Sequence, residues 1–153
     1  MKWDWLRIVA GVGLLLQGYF AYQETLGWGP EFVADAAPAW VGYLEAKDLT
    51  EETRQHIAWA ENLADNMGVY NLVLAIGLAW VAIAGATVAS SLGIFLAVWL
   101  LVAAAAAGYT EVYKASIAQG LLGLALLFAS VWALRQSAEG RAGVAGRGGA
   151  FRV

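Results

Sequence analysis

The sequence predicts an all-α integral membrane protein, a four-helix antiparallel bundle with both termini on the cytoplasmic side, and three observations predict it. Of its 153 residues 61% are hydrophobic and 14% charged, with a mean hydropathy of +0.62, a composition far more apolar than that of a soluble domain of this size. Uncharged runs occupy residues 8–23, 66–110 and 115–134, and the middle run is too long for one crossing and about right for two. Charge is segregated: residues 24–65 hold nine acidic side chains against Lys47 and Arg54, whereas the segment after Leu134 holds Arg135, Arg141, Arg147 and Arg152 against Glu139. Lys and Arg next to membrane spans mark the cytoplasmic side, so the acidic segment is expected outside and the number of spans even.

Span one is expected over residues 6–24, flanked by Arg7 and Glu24, with Trp3, Trp5, Tyr19 and Tyr22 near its ends as interfacial aromatics. A cleaved signal peptide is the alternative. It is disfavoured because cleavage after Ala21 places Tyr19 where a small residue is required. Residues 25–65 form an outer segment in which Pro30 and Pro38 interrupt regular structure and Trp28, Phe32, Trp40 and Tyr43 suit a membrane surface or the cap of the bundle. Asp48 and Glu51 have capping-box spacing, which predicts a helix running through His56, Trp59 and Leu63 into span two.

Span two is placed at 66–84, a turn at 85–91 (GATVASS), span three at 92–110 and span four at 115–134. Residues 1–135 thus make one domain, and residues 136–153, rich in Gly and Arg, read as a flexible cytoplasmic tail able to touch anionic lipid. The chain has no cysteine, which excludes a disulfide framework and thiolate metal sites. Its one short basic segment lacks interleaved aromatic residues, so no nucleic-acid partner is expected.

Helical periodicity then assigns the polar side chains to faces. Gly13, Gln17, Phe20 and Glu24 share a stripe on span one. On span two Asn62, Asn66, Tyr70, Gly77 and Trp80 share a face, while Asn71 lies well round from Asn66, beside Met67, Ala75 and Leu78. Span three offers Gly93, Ala97, Leu100, Ala104, Ala107 and Glu111, and span four Ser116, Gln119, Gly120, Gly123, Leu127 and Ser130. Lipid tails satisfy neither amides nor carboxylates, so these stripes are expected to face one another, with small residues allowing close backbone approach.

Taken singly, Gln17, Asn66, Asn71 and Gln119 read most simply as interhelical hydrogen-bonding groups worth about 0.6–2 kcal/mol each. Their convergence with Glu24 in the outer half of the bundle points to a ligand pocket. Glu24 would be its charged anchor, Asn66, Tyr70, Asn71, Gln119 and the deeper Gln17 its walls, and Lys114 and Glu111 charged groups at its mouth. His56, the only histidine, stands among Glu52, Glu61 and Asp65, and a solvated helix face explains it better than a metal site. No Ser/His/Asp constellation is visible, and no cofactor is implied.

The segments YQETLGW at 22–28 and NMGVYNLVLAIGLAW at 66–80, with the Gln119-Gly120 pair, resemble those of the small four-span bacterial membrane proteins of the uncharacterised DUF family numbered thirteen hundred and four. The resembling positions are Glu24 and Trp28, then Asn66, Gly68, Tyr70 and Asn71, then Gln119 and Gly120, and the likeness runs over residues 5–135. A longer outer connection and the Gly/Arg tail depart from the pattern. The resemblance implies the four-span fold, the residue set and a bacterial cytoplasmic membrane; it carries no established activity. Three functions are therefore weighed. The leading one is a pocket for a small or amphiphilic ligand, the second an accessory subunit docking to membrane-protein partners, and the third a proton-coupled enzyme or carrier using Glu24.

Overall fold

The computed structural model describes residues 4–26, 51–109 and 113–148, and among them every regular element is an α-helix. In chain order these are α1 (Asp4–Thr25), α2 (Glu51–Ile83), α3 (Ala86–Tyr109) and α4 (Tyr113–Gly148). Each contains a stretch long and apolar enough to cross a membrane: Trp5–Thr25, Ala64–Ile83, Ala86–Tyr109 and Tyr113–Arg141. The shortest, at 20 residues, spans about 30 Å at about 1.5 Å per residue, the thickness of a bilayer's hydrocarbon core. The chain is an all-α membrane four-helix bundle. The expected outer segment from residue 27 to 50, Glu111 and the His56 side chain lie outside the described residues.

Close contacts show that neighbouring helices run antiparallel. Gly13 of α1 lies against Leu78 of α2 and Leu122 of α4, while Gly68 of α2 lies against Ala21 and Thr25 near the other end of α1. Along the α3–α4 pair, Gly93 meets Ser130, Gly123 meets Leu101 and Gly108 meets Ser116. The most extensive packing is within the pairs α1–α2 and α3–α4, so the bundle is two tight hairpins laid against each other. Buried positions recur at three- and four-residue steps, as at Leu6, Ala10, Gln17 and Ala21 on α1 and at Leu122, Leu126, Ala129 and Ala133 on α4. That spacing gives each helix one inward stripe and a shallow crossing angle.

The two ends differ. One, here called the turn end, contains the start of α1 and the α2–α3 connection. There the inward stripes interlock as a single apolar cluster that includes Leu6, Leu78, Val81, Leu96, Leu100, Leu122 and Leu126. The opposite end, which contains Glu24, contributes Gln17, Asn71 and Gln119 to the interior instead. Many exposed aromatics lie toward the two ends, Trp5, Trp80 and Trp132 at the turn end and Tyr19, Tyr22, Tyr70, Tyr109 and Tyr113 at the Glu24 end, while Trp99 is exposed in mid-span. Amphipathic rings of this kind suit the two membrane–water interfaces.

Three local features differ from the sequence expectation. The turn expected over 85–91 is much tighter, because the amide of Ala84 still bonds back to the Trp80 carbonyl at 2.8 Å and that of Ala89 already bonds to the Gly85 carbonyl at 2.9 Å. Ser90 does not interrupt α3: its hydroxyl donates to the Ala86 carbonyl one turn back at 2.7 Å. And α4 continues as helix to Gly148, so residues 136–148 lengthen it where a flexible tail was expected. This extension is helical despite its glycines, and it is tied down where Arg141 Nη2 donates to Thr87 Oγ1 at the start of α3, 2.7 Å away.

Candidate functional site

The Glu24 end is built on a close approach of α1 and α2. A Cβ placed on Gly68 would collide with Thr25 Cγ2 and lie 3.2 Å from the Ala21 carbonyl oxygen and 3.4 Å from Glu24 Cβ. Glycine is therefore required there for packing. Ala64 and Gly68 on α2, and Ala21 and Thr25 on α1, are small residues spaced by four, the pattern that brings membrane helices into backbone contact. The Thr25 hydroxyl turns back to its own helix, donating to the Ala21 carbonyl at 2.7 Å, so its methyl group is what meets Gly68.

This approach delivers the central interaction. One turn along α2 from Gly68, Asn71 Nδ2 donates to Glu24 Oε2 at 2.6 Å, linking residues 47 positions apart in the chain. Asn71 is 5% exposed and Glu24 is half-buried, so the amide is held inside while the carboxyl remains reachable. A buried carboxyl needs such a donor, since hydrocarbon offers none.

Gln17 lies two turns deeper on the same stripe of α1, and it is completely buried, with 0% exposure. Neither its Oε1 nor its Nε2 has a hydrogen-bond partner among the described residues. Its layer is fixed by register: Gly13, one turn further toward the turn end, touches both Leu78 and Leu122. One turn back from those two residues lie Leu74 on α2 and Gln119 on α4, both buried. Gln17 and Gln119 thus occupy one layer across the seam between the two hairpins. The α3–α4 hairpin is held at the same end by the Ser116 hydroxyl, which donates to the Ala104 carbonyl at 2.7 Å.

The structure brings together Glu24 and Asn71 directly, and Gln17 and Gln119 by layer; it does not bring Asn66 or Tyr70 to them. The face of α2 expected to turn inward, with Asn66, Tyr70 and Trp80, is exposed, Tyr70 to 60%, and the inward stripe is the one with Asn71, Leu74, Ala75 and Leu78. The physical reason is visible at Asn66, whose Nδ2 donates to the Asn62 carbonyl one turn back at 3.0 Å. An amide near a span end that is satisfied by its own helix has no need of the bundle interior. Lys114 is exposed at the start of α4.

Sequence reasoning names Gly68 and Ser130 but not what they meet. Thr25, which it does not single out, forms a steric pair with Gly68, and the small-x-x-x-small spacing of residues 64–68 is the available signal. Ser130 was placed on the right stripe, but not its consequence: its buried hydroxyl has no partner among the described residues and lies against Gly93, where a Cβ would collide with it. Chemically, the Glu24 end offers hydrogen-bond acceptors at a reachable carboxyl and both a donor and an acceptor at a buried amide. Among the described residues no group of three or more His, Cys, Asp or Glu side chains is placed to hold a metal ion.

Residues 39–131 match the model of a family described as protein of unknown function (DUF1304). The matched stretch takes in Gly68, Asn71 and Gln119 but begins after α1, and so after Gln17 and Glu24. No curated protein matches the chain, and no solved structure does.

Proposed function

The chain belongs to the DUF1304 family of proteins of unknown function, and we propose that it holds a small or amphiphilic ligand at its Glu24 end. The observation that supports it most is the Glu24–Asn71 contact of 2.6 Å. A carboxyl placed inside a membrane span is costly to maintain, and such groups face bundle interiors or pathways where they meet a specific partner. Here one side of the carboxyl is oriented by Asn71 and the other is left reachable. Glu24 is the anchor in this reading, with Asn71 as its positioning partner and Gln17 and Gln119 as the hydrogen-bonding walls. The apolar plug of Leu78, Leu100 and Leu126 behind them makes the site blind-ended, which favours a binding site over a through-going carrier.

Native mass spectrometry of the protein extracted gently from its own membranes tests this. Wild type should retain a small molecule that Glu24→Gln and Asn71→Ala lose, while Asn66→Ala, altered on the exposed face, keeps it. Protein subunits that co-purify with all four forms, and no small molecule with any, would overturn the reading and move the function to the outer surface.

A further inference from the structure

Resting on that reading, we infer that the ligand is an uncharged amphiphile whose head both donates and accepts hydrogen bonds, an alcohol or an amide, and that it reaches Gln17 by spreading the two hairpins apart at the Glu24 end. The juxtaposition that supports this is an orphaned amide in the seam between two units that are each firmly bonded within themselves.

Within each hairpin the Glu24 end is locked. Gly68 is wedged against Thr25 and the Ala21 carbonyl, Asn71 bonds Glu24, and the Ser116 hydroxyl bonds the Ala104 carbonyl. Between the hairpins the picture inverts. The large side chains that interlock them, Leu6, Leu78, Leu96, Leu100, Leu122 and Leu126, all belong to the one apolar cluster, which ends on α2 at Leu74 in the Gln17 layer, and Gln17, Ala21, Ala104 and Gln119 are buried outside it. The Asn71–Glu24 and Ser116–Ala104 hydrogen bonds both lie within a hairpin, so separation at the Glu24 end keeps them and leaves the leucine cluster as a hinge. Rigid hairpins pivoting on a packed end are a shear-and-hinge motion of ordinary kind.

The closed bundle contains an unmet demand that such a motion answers. Gln17 has no exposed surface, so no ligand touches it without movement, and its donor and acceptor are both unpartnered. Leaving a buried amide unsatisfied destabilises the closed state and lowers the cost of opening. The head that relieves it must present an acceptor to Nε2 and a donor to Oε1. A hydroxyl or an amide does both. A quaternary ammonium does neither, and a carboxylate supplies no donor. Charge decides against the carboxylate a second time, because Glu24 is the only ionisable side chain on the inward stripes of the described residues. The depth requires an apolar body: Gln17 is eight residues, or about 12 Å, below Thr25 at about 1.5 Å per residue, so the rest of the ligand lies among alanines and lipid.

The test uses the full chain in non-ionic detergent, stripped of bound molecules, with four dodecyl probes: dodecanol, dodecanamide, dodecanoate and dodecyltrimethylammonium. Binding is read by native mass spectrometry. Spreading is read by the distance between spin labels on cysteines introduced at Tyr22 and Tyr109, with a second pair at Ile83 and Leu134 on the turn end; the chain's lack of cysteine makes the labelling specific. The expected result is retention of the alcohol and the amide, at least about tenfold weaker retention of the two charged probes, loss of that preference in Gln17→Met, and a longer distance at the first pair only. Equal binding of all four probes, preference for a charged one, or unchanged preference in Gln17→Met overturns the assignment of ligand class. Binding with no change at the first pair overturns the spreading. Binding of none of the probes overturns the class as well. Neither failure touches the pocket reading, which stands or falls on the native extract and on Glu24→Gln. Gln119→Met provides a second variant, expected to weaken the same preference should Gln17→Met not fold.

Discussion

Gln17→Met makes the ligand-free protein more stable and the functional protein worse. Methionine is as long and unbranched as glutamine, so the substitution fills the same volume in a site that has no exposed surface and leaves no cavity. It removes a donor and an acceptor that have no partners among the described residues. An unsatisfied buried polar group costs about 1–3 kcal/mol, and exchanging it for an apolar group of similar shape recovers much of that. The unfolded reference in a micelle is itself apolar and lets the amide find partners, so the gain is set at one group's worth, about 1–3 kcal/mol. The assay is reversible unfolding of ligand-stripped protein by SDS titration in mixed micelles, followed by helical circular dichroism. Gln17→Met should unfold at a higher SDS fraction than wild type.

An unchanged or lower midpoint refutes the reasoning, because it means that the amide is satisfied in the folded bundle and is a structural strut. Ligand works against that advantage. At a concentration 100 times its Kd a ligand stabilises wild type by about 2.7 kcal/mol, enough to cancel most or all of the variant's advantage. A residue whose removal helps the empty protein and harms the occupied one is retained for the ligand.

Other perturbations isolate the remaining contacts. Gly68→Ala should destabilise by about 1–3 kcal/mol in the same titration, since its Cβ meets Thr25 Cγ2, and Thr25→Ser, which removes that methyl and keeps the hydroxyl, should restore most of the loss in the double variant. Asn71→Ala should cost about 0.6–1.7 kcal/mol, the range of interhelical hydrogen bonds in membranes, and in a double-mutant cycle with Glu24→Ala the two losses should overlap rather than add. Gly93→Ala should destabilise through Ser130, and Ser130→Ala, which removes an unpartnered hydroxyl, should offset it. With no native cysteine, single cysteines at Arg141 and Glu51 report orientation: with cytoplasmic termini, the first is labelled by an impermeant thiol reagent only after the membrane is opened, and the second in intact cells.

The architecture was legible because bilayer thickness is a strict ruler. Uncharged runs of fixed length, the tiny residues on α3 and the amides on α1 and α4 all carry a signal that depends only on helix geometry, and the inward stripes of those three helices were read from it. On α2 the same reasoning turned the helix too far. It assumed that every polar side chain within a span seeks the interior, whereas Asn66 is near the end of the helix and bonds its own backbone, and Tyr70 is an interfacial aromatic. What orients α2 is the steric demand of Gly68 against Ala21 and Thr25, a pairing between helices that no single helix's periodicity contains. The sequence groups Asn71 with Glu24 in one pocket but offers Asn66 and Tyr70 equally, and only the docking of α2 on α1 singles out Asn71 as the partner. Small and polar residues at 85–91 and after Leu134 suggest a turn and a tail by composition alone, and the helices run through most of both. Serines at 90 and 137 satisfy their hydroxyls on carbonyls one turn back and let the helices run on.

The two side chains with orphaned polar atoms among the described residues are best understood against each other. Ser130 is at the turn end, where α3 and α4 approach so closely that Gly93 has no room for a side chain. A serine is small enough to keep that approach where a larger side chain would separate the helices, so its presence costs an unpartnered hydroxyl but little packing. Gln17 has no such justification. It is large, its neighbour one turn away is a glycine packed by leucines, and an apolar residue of equal volume would fit the closed bundle better. A polar side chain that serves packing is small and sits where helices are closest. One that is large and sits in the weaker seam serves a state other than the closed one, and among the described residues that seam leads from Gln17, past the last leucine of the cluster at Leu74, to Glu24.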